Sequence, residues 1–266
     1  MTPAQARGPT DARGDQRLLE ISGVTRVFSG LTALKAVTTH VAANELVGLI
    51  GPNGAGKTTL FNLISGFIAP TEGEIRFDGR SLSGMKPHRI ARLGIGRTFQ
   101  NLRILPNMTV FDNVSIGALA AFGQTPWQAL AGGGGAVSRG ISELTRDVLD
   151  QVALSDAAGV LAANLSYGRR KYLEIARALA TRPKLLILDE PAAGLNDTET
   201  GELASFIAGL VRKGMTVLLV EHRMSLVMSI CQRVIVLASG VKIADADPAT
   251  VQRDPAVLES YLGTGE

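Results

Sequence analysis

The octapeptide Gly51-Pro52-Asn53-Gly54-Ala55-Gly56-Lys57-Thr58 constrains this chain more than any other stretch. It matches the pattern G-x-x-x-x-G-K-[ST] and stands between an apolar run, Leu46 to Ile50, and a helix-like run, Thr59 to Ile64. A strand, a glycine-rich loop and a helix in that order are what polyphosphate binding requires. The glycines let successive backbone N–H groups turn inward, and the helix start adds its positive dipole end. Lys57 supplies a mobile cation, and Thr58 can place a hydroxyl on Mg²⁺.

Such a loop belongs in a folded α/β domain, and the composition permits one. The 266 residues are 45% hydrophobic and 19% charged, enough to bury a core in one large domain or a domain with a sub-lobe. The net charge of +3 is small and unclustered, so it does not argue for nucleic acid. A single cysteine, Cys231, leaves no partner for an intrachain disulfide and suits a reduced compartment as a small buried hydrophobe. Residues 1–17 are polar and rich in Arg, Asp, Gly and Pro, with no apolar h-region, so a disordered tail and no secretory signal are expected. From Asn113 to Ser138 no side chain is charged, yet Gly123, Pro126 and the glycines 132–135 interrupt the stretch, so no membrane span is expected.

In order, Leu18 to Phe28 and Thr32 to Val41 read as a β-hairpin turning at Ser29-Gly30, and Leu46 to Ile50 as a buried strand. Gly73 to Asp78 is a further strand, ending in the turn Asp78-Gly79. Helical character begins at Pro87, with an apolar piece at Gly94 to Phe99. Thr109 to Leu119 is a helix capped by Thr109 with Asp112 in a capping box, Ala131 to Ala136 a loop, and Ile141 to Val152 a helix. Helices at Arg169 to Ala180, Thr198 to Val211 and Met224 to Ile230 then alternate with strands at Lys184 to Leu188, Thr216 to Val220 and Val234 to Leu237. Two short helices close the chain between Pro248 and Leu262.

Two further segments carry chemistry. Leu185-Leu186-Ile187-Leu188-Asp189-Glu190-Pro191 is an apolar strand ending in two acids: Asp189 is placed to hold Mg²⁺ opposite Thr58, and Glu190 to polarise a water for attack on a γ-phosphate. Leu165-Ser166-Tyr167-Gly168-Arg169-Arg170-Lys171 precedes a helix, and Ser166 there is an N-cap with exposed amides beside it.

The phosphate loop, Gln100, the Leu-Ser-x-Gly segment, the Leu-Asp-Glu-Pro strand end and His222 together resemble the ATP-binding subunits of ATP-binding-cassette transporters, over about Leu18 to Leu262. Arg97-Thr98-Phe99-Gln100-Asn101, the Leu-Ser-Tyr-Gly form, Pro191-Ala192-Ala193-Gly194-Leu195-Asn196, Glu221-His222 and the tail Glu259-Ser260-Tyr261-Leu262-Gly263 look most like the branched-chain amino acid importers. The resemblance implies a P-loop, RecA-like core spanning residues 18–86 and 166–247, with an N-terminal antiparallel β subdomain. A helical subdomain, 87–165, would be inserted between phosphate loop and signature, and C-terminal helices would span 248–262. It implies ATP and Mg²⁺ as cofactors: Phe28 stacked on adenine, Asn53, Gly54, Gly56, Lys57, Thr58 and Thr59 on the phosphates, and Thr58, Gln100 and Asp189 at the metal. Ser166 and Gly168 would contact ATP bound to an opposing subunit, while Glu190, His222, Lys57 and Gln100 would serve hydrolysis.

The same resemblance implies a second ATPase subunit, permease subunits in the membrane, a substrate-binding protein reached indirectly, and a place at the cytoplasmic membrane face. Asp197, Arg223, Arg169 and Arg170 depart from what relatives often carry at those positions, and none removes a catalytic group. Three alternatives stay open: a motor for lipid, lipopolysaccharide or other amide and amino acid transport, a soluble ATPase of the same superfamily, and a nucleotide-dependent binding module with little turnover.

Overall fold

Short, uniformly buried strands carry the loops that matter. A computed structural model describes residues 16–100, 102–123 and 135–262, and the chain divides into two compact units, Met1–Ile90 with Gly201–Glu266, and Ala91–Thr200.

In the first unit, β1 (Arg17–Phe28) and β2 (Leu31–Ala42) form an antiparallel hairpin. Its turn, Ser29-Gly30, holds both residues at positive φ, 44° and 92°, the geometry that matches the twist of paired strands. β1 also pairs antiparallel with β4 (Glu72–Phe77), and β4 turns through Asp78-Gly79 into the two-residue β5 (Arg80–Ser81). Beside this sheet runs β3 (Leu46–Ile50), in parallel register with β8 (Thr216–Val220) and β9 (Arg233–Ala238). All five residues of β3 and of β8 are buried, as strands covered on both faces must be. β10 (Val241–Ala246) pairs antiparallel with β9. Helices α1 (Lys57–Ile64), α7 (Met224–Ile230), α8 (Pro248–Arg253) and α9 (Pro255–Leu262) complete this unit.

The second unit is mainly helical. The chain enters it along α2 (Pro87–Leu93), forms β6 (Ile95–Arg97), and continues into α3 (Val110–Ala121) and α4 (Gly135–Gln151). Two single 3₁₀ turns then lead to α5 (Tyr167–Leu179), β7 (Leu185–Asp189) and the start of α6 (Asp197–Arg212), whose residues from Gly201 on belong to the first unit. β6 and β7 pair in parallel, Arg97 opposite Ile187. Thr109 caps α3 as expected: its Oγ1 accepts from Asp112 N at 3.0 Å and donates to Asp112 Oδ2 at 2.6 Å.

Some boundaries differ from the expectation. Arg17 already belongs to β1. The loop anticipated at Ala131 to Ala136 lies outside the described residues up to 134, and from Gly135 the chain is α-helical, six residues ahead of Ile141. Four of those residues, Ala136, Val137, Ser138 and Arg139, are adequate helix formers, so one Gly-rich patch did not mark the whole segment as loop. β10 went unread because its alternation is shallow: Val241 is exposed and the five residues after it are all half-buried. No helix among the described residues is long and apolar enough to cross a membrane.

Candidate nucleotide site

In the first unit the site begins where β3 ends. Gly51, Gly54 and Gly56 all lie at positive φ, 149°, 78° and 102°. Gly51 has no alternative, since a Cβ there would stand 2.0 Å from the Leu237 carbonyl oxygen. At Gly54 a Cβ would meet nothing within 4 Å, so that glycine is required by backbone conformation and leaves open space above the loop. Lys57 is 6% exposed, and its ammonium folds back onto the Gly51 and Pro52 carbonyl oxygens at 2.7 and 3.0 Å. α1 starts at Gly56 with no side-chain cap. No capping side chain therefore competes with an anion for its first-turn amides. Asn53, Gly54 and Thr58 are exposed, and Thr59 is half-buried.

Register brings other expected residues to this end of the sheet. Leu49 pairs with Val220 across parallel strands, so Gly51 and the exposed His222 each follow two residues beyond the same rung. The His222 backbone N–H donates to the buried Glu221 carboxylate at 3.2 Å. Phe28 ends β1 opposite Leu31, its ring 38% exposed with the Arg26 guanidinium 4.4 Å above it. A Cβ on Gly56 would touch Leu34 and Ala33 of β2, so the hairpin that carries Phe28 packs against the phosphate loop.

In the second unit β7 delivers Asp189, 5% exposed, into a salt bridge with Arg97 Nη2 at 3.0 Å. Thr98 Oγ1 accepts from Asp189 N at 3.2 Å, and Thr98 N donates to Ile187 O at 3.0 Å. Two consecutive β6-end residues thus hold the aspartate from both sides. Glu190, next along the chain, takes the left-handed conformation at φ 51°, an uncommon state for a non-glycine. Its Oε2 accepts from Gln100 Nε2 at 3.0 Å.

The signature segment lies in the same unit. Ser166 is exposed and caps α5, its Oγ accepting from Arg169 N at 3.4 Å. A Cβ on Gly168 would come within 2.9 Å of Glu199 Oε1, so glycine leaves that carboxylate room to accept from Asn196 N at 3.0 Å. The Tyr167 hydroxyl donates to Ala193 O at 3.2 Å. Arg170 spans back to the Leu165 and Ala163 carbonyl oxygens at 2.9 and 2.7 Å, while Arg169 pairs with Asp156.

These residues fit a magnesium nucleotide. Backbone amides at a helix start with open space beside them suit a polyphosphate, and the exposed Thr58 hydroxyl of the first unit and the Asp189 carboxylate of the second are each a donor type that a hard cation takes. Mg²⁺ uses one or two such ligands and takes the rest from phosphates and water. Sequence reading missed Arg97, Lys171 and Glu174 as members of this site. A signal was present for two of them: Lys171 and Glu174 fall on the same stripe as Ile175 and Ala178, where an amphipathic helix ought to be apolar.

Comparison with known proteins bears on the nucleotide. Residues 34–193 match the family model described as ABC transporter, and residues 241–266 match that of the branched-chain amino acid ATP-binding cassette transporter. The chain is 42% identical to the high-affinity branched-chain amino acid transport ATP-binding protein BraF of Pseudomonas aeruginosa, over 92% of this chain and 98% of that protein. It is 40% identical to LivG of Escherichia coli, a protein of the same description, over 93% and 98%. Among solved structures, the ADP conformation of an ATP-binding cassette of an ABC transporter aligns with TM-score 0.80 and 32% identity, covering 93% of this chain and 99% of that one. A nucleotide-free cassette aligns with TM-score 0.80 and 30% identity, over 94% and 100%. With its phosphate loop, its Asp-Glu strand end and its signature helix all inside that match, this chain belongs to the ABC transporter family, as an ATP-binding cassette that hydrolyses ATP to drive transport.

Proposed function

We propose that this cassette drives uptake of branched-chain or other hydrophobic amino acids from the cytoplasmic face of a membrane. The observation that supports this reading is the match of residues 241–266 to a branched-chain amino acid cassette model, a region beyond the family-wide match to residues 34–193. In this reading two cassettes, this chain with a second copy or a related subunit, close on ATP and act on membrane-embedded permease subunits. A substrate-binding protein outside the membrane is reached through them.

The roles follow from chemistry. The loop amides from Asn53 to Thr59 and the Lys57 ammonium bind the phosphates, with Lys57 exchanging its two loop carbonyls for phosphate oxygens. Phe28 presents a ring face for the base. Thr58 in the first unit, and Asp189 and Gln100 in the second, are the residues that would hold Mg²⁺, which would supply positive charge to offset that of the phosphates. Glu190 orients the attacking water, His222 steadies the γ-phosphate end, and Ser166 and Gly168 present a helix N-terminus to the nucleotide of the opposing subunit. Arg97, by pairing with the Asp189 carboxylate at 3.0 Å, fixes the metal ligand.

Uptake of labelled leucine, isoleucine and valine in cells of the source organism tests this reading. Loss of uptake on deleting the chain, restored by the wild type and not by Glu190→Gln, is expected. Unchanged uptake, with export-type permeases copurifying from native membranes, would overturn it.

A further inference from the structure

Two buried charges of the second unit remain outside the roles assigned so far. Lys171 is 2% exposed and Glu174 6% exposed, one turn apart on α5. Charged groups leave water only where polar partners receive them, and the partners here are the backbones of two different site loops. Lys171 Nζ reaches Glu190 O at 3.4 Å, with the ammonium 5.7 Å from the Tyr167 ring centroid. Glu174 Oε1 accepts from Phe99 N at 3.1 Å, one residue before Gln100. The Gln100 and Glu190 side chains then close the figure, Nε2 to Oε2 at 3.0 Å.

We propose that Lys171 and Glu174 are positioning residues that set the Gln100–Glu190 pair, α5 gripping Phe99 with one turn and Glu190 with the next. The inference rests on the reading of Glu190 as the water-orienting carboxylate. The grip is needed because Glu190 sits in a left-handed backbone conformation at the end of a strand. A turn bond from Ala193 N to Glu190 O at 3.2 Å supports that conformation from one side. Lys171 supplies the second donor to the same carbonyl, which has two lone pairs to use. Tyr167 extends the frame, its hydroxyl on Ala193 O and its ring so close to Gly194 that a Cβ there would stand 2.8 Å from it. The first turn of α5 therefore holds the 190–194 segment at several points, and a shift of the signature helix moves the Glu190 carboxylate with it.

A double-mutant cycle in the assembled transporter tests this, with Lys171→Met, Glu190→Gln and the pair together. Lys171→Met alone is expected to lower kcat ~10–100-fold with KM for ATP changed less than about 3-fold, since it disturbs orientation and leaves binding groups in place. Lys171→Arg, which can donate to the same carbonyl, is expected to recover most of the loss. In the Glu190→Gln background Lys171→Met should add no further loss, because its effect passes through that carboxylate. An additive loss would overturn the inference while leaving Glu190 as the base, and a Glu190→Gln complex at wild-type rate would overturn both. Glu174→Met, which fills the same space without an acceptor, carries the test without turnover. Amide hydrogen exchange at residues 98–100 is expected to quicken about 10-fold while β7 stays protected; unchanged exchange there would overturn the grip on Phe99.

Discussion

Arg233 and Lys171 are both cations taken largely out of water, and their surroundings differ in a way that separates scaffold from machinery. Arg233 meets Glu45 through Nε and Nη2 at 2.7 and 3.0 Å, Asp245 through Nη1 at 2.6 Å and the His40 carbonyl through Nη2 at 2.6 Å. Asp245 in turn accepts from Thr39 at 2.8 Å and Lys242 at 2.9 Å. That network joins β2, the turn before β3, β9 and β10 by short, mutually saturating bonds, a geometry that resists rearrangement. Around Lys171 the contacts are longer, reach mostly backbone, and converge on a residue at positive φ. Short paired charges make a joint, and longer contacts on a strained loop make an adjustable mount.

The largest effect that would break this contrast is on catalysis. Glu190→Gln is expected to cut ATP turnover of the assembled complex on the order of 10²–10⁴-fold while ATP binding persists; turnover near wild type would place the machinery elsewhere. Next, Arg233→Met strands Glu45 without its cation, leaves Asp245 with Lys242 alone, and is expected to cost about 3–5 kcal/mol of folding stability in urea unfolding. The rate per folded molecule should hold. A lower rate at unchanged stability would mean that the Arg233 network also belongs to the machinery.

Acid sharpens the same comparison. Burial pushes the Asp245 carboxyl up, but Arg233, Lys242 and Thr39 together hold it below the ordinary carboxylate value of 3.8. An acid with a lowered folded pKa contributes stability above its ordinary value and loses it as pH falls through the folded one. Urea midpoints should therefore drop below pH 3.8, and Asp245→Asn should flatten that part of the profile. Burial, then Arg233 and Arg17, lower the pKa of His40 from 6.5. Its contribution is complete above pH 6.5 and declines below it, so His40→Asn should remove the earliest part of the acid loss. The smallest effect concerns Cys231, buried against β3, whose thiol burial pushes up to about 12. Alkylation of the folded chain at neutral pH should be slow against the unfolded chain, and rapid labelling would show that α7 opens.

Much of the candidate site was legible in the sequence because it is built from contiguous motifs. The runs Leu46–Ile50, Thr216–Val220 and Met224–Ile230 fold as elements with those very bounds, since each is short, apolar and ended by residues that break its pattern. Thr109 and Ser166 cap the helices they precede because capping is settled within one turn. Asp189 and Gln100 were legible by type, their partners not. Arg97 lies 92 positions before Asp189, and Lys171 lies 19 before Glu190. No local pattern registers such pairs.

Taken by itself, the amino-acid sequence determined the α/β alternation, the phosphate loop, the acids that end β7 and the family, all of which depend on neighbours along the chain. Tertiary structure alone decided that β10 is a strand, that Arg233 is a joint, and that Lys171 and Glu174 face inward to grip two loops. The physical reason is the cost of burying a charge: whether a lysine or glutamate on a helix snorkels to water or commits to a buried partner depends on what the fold places opposite it.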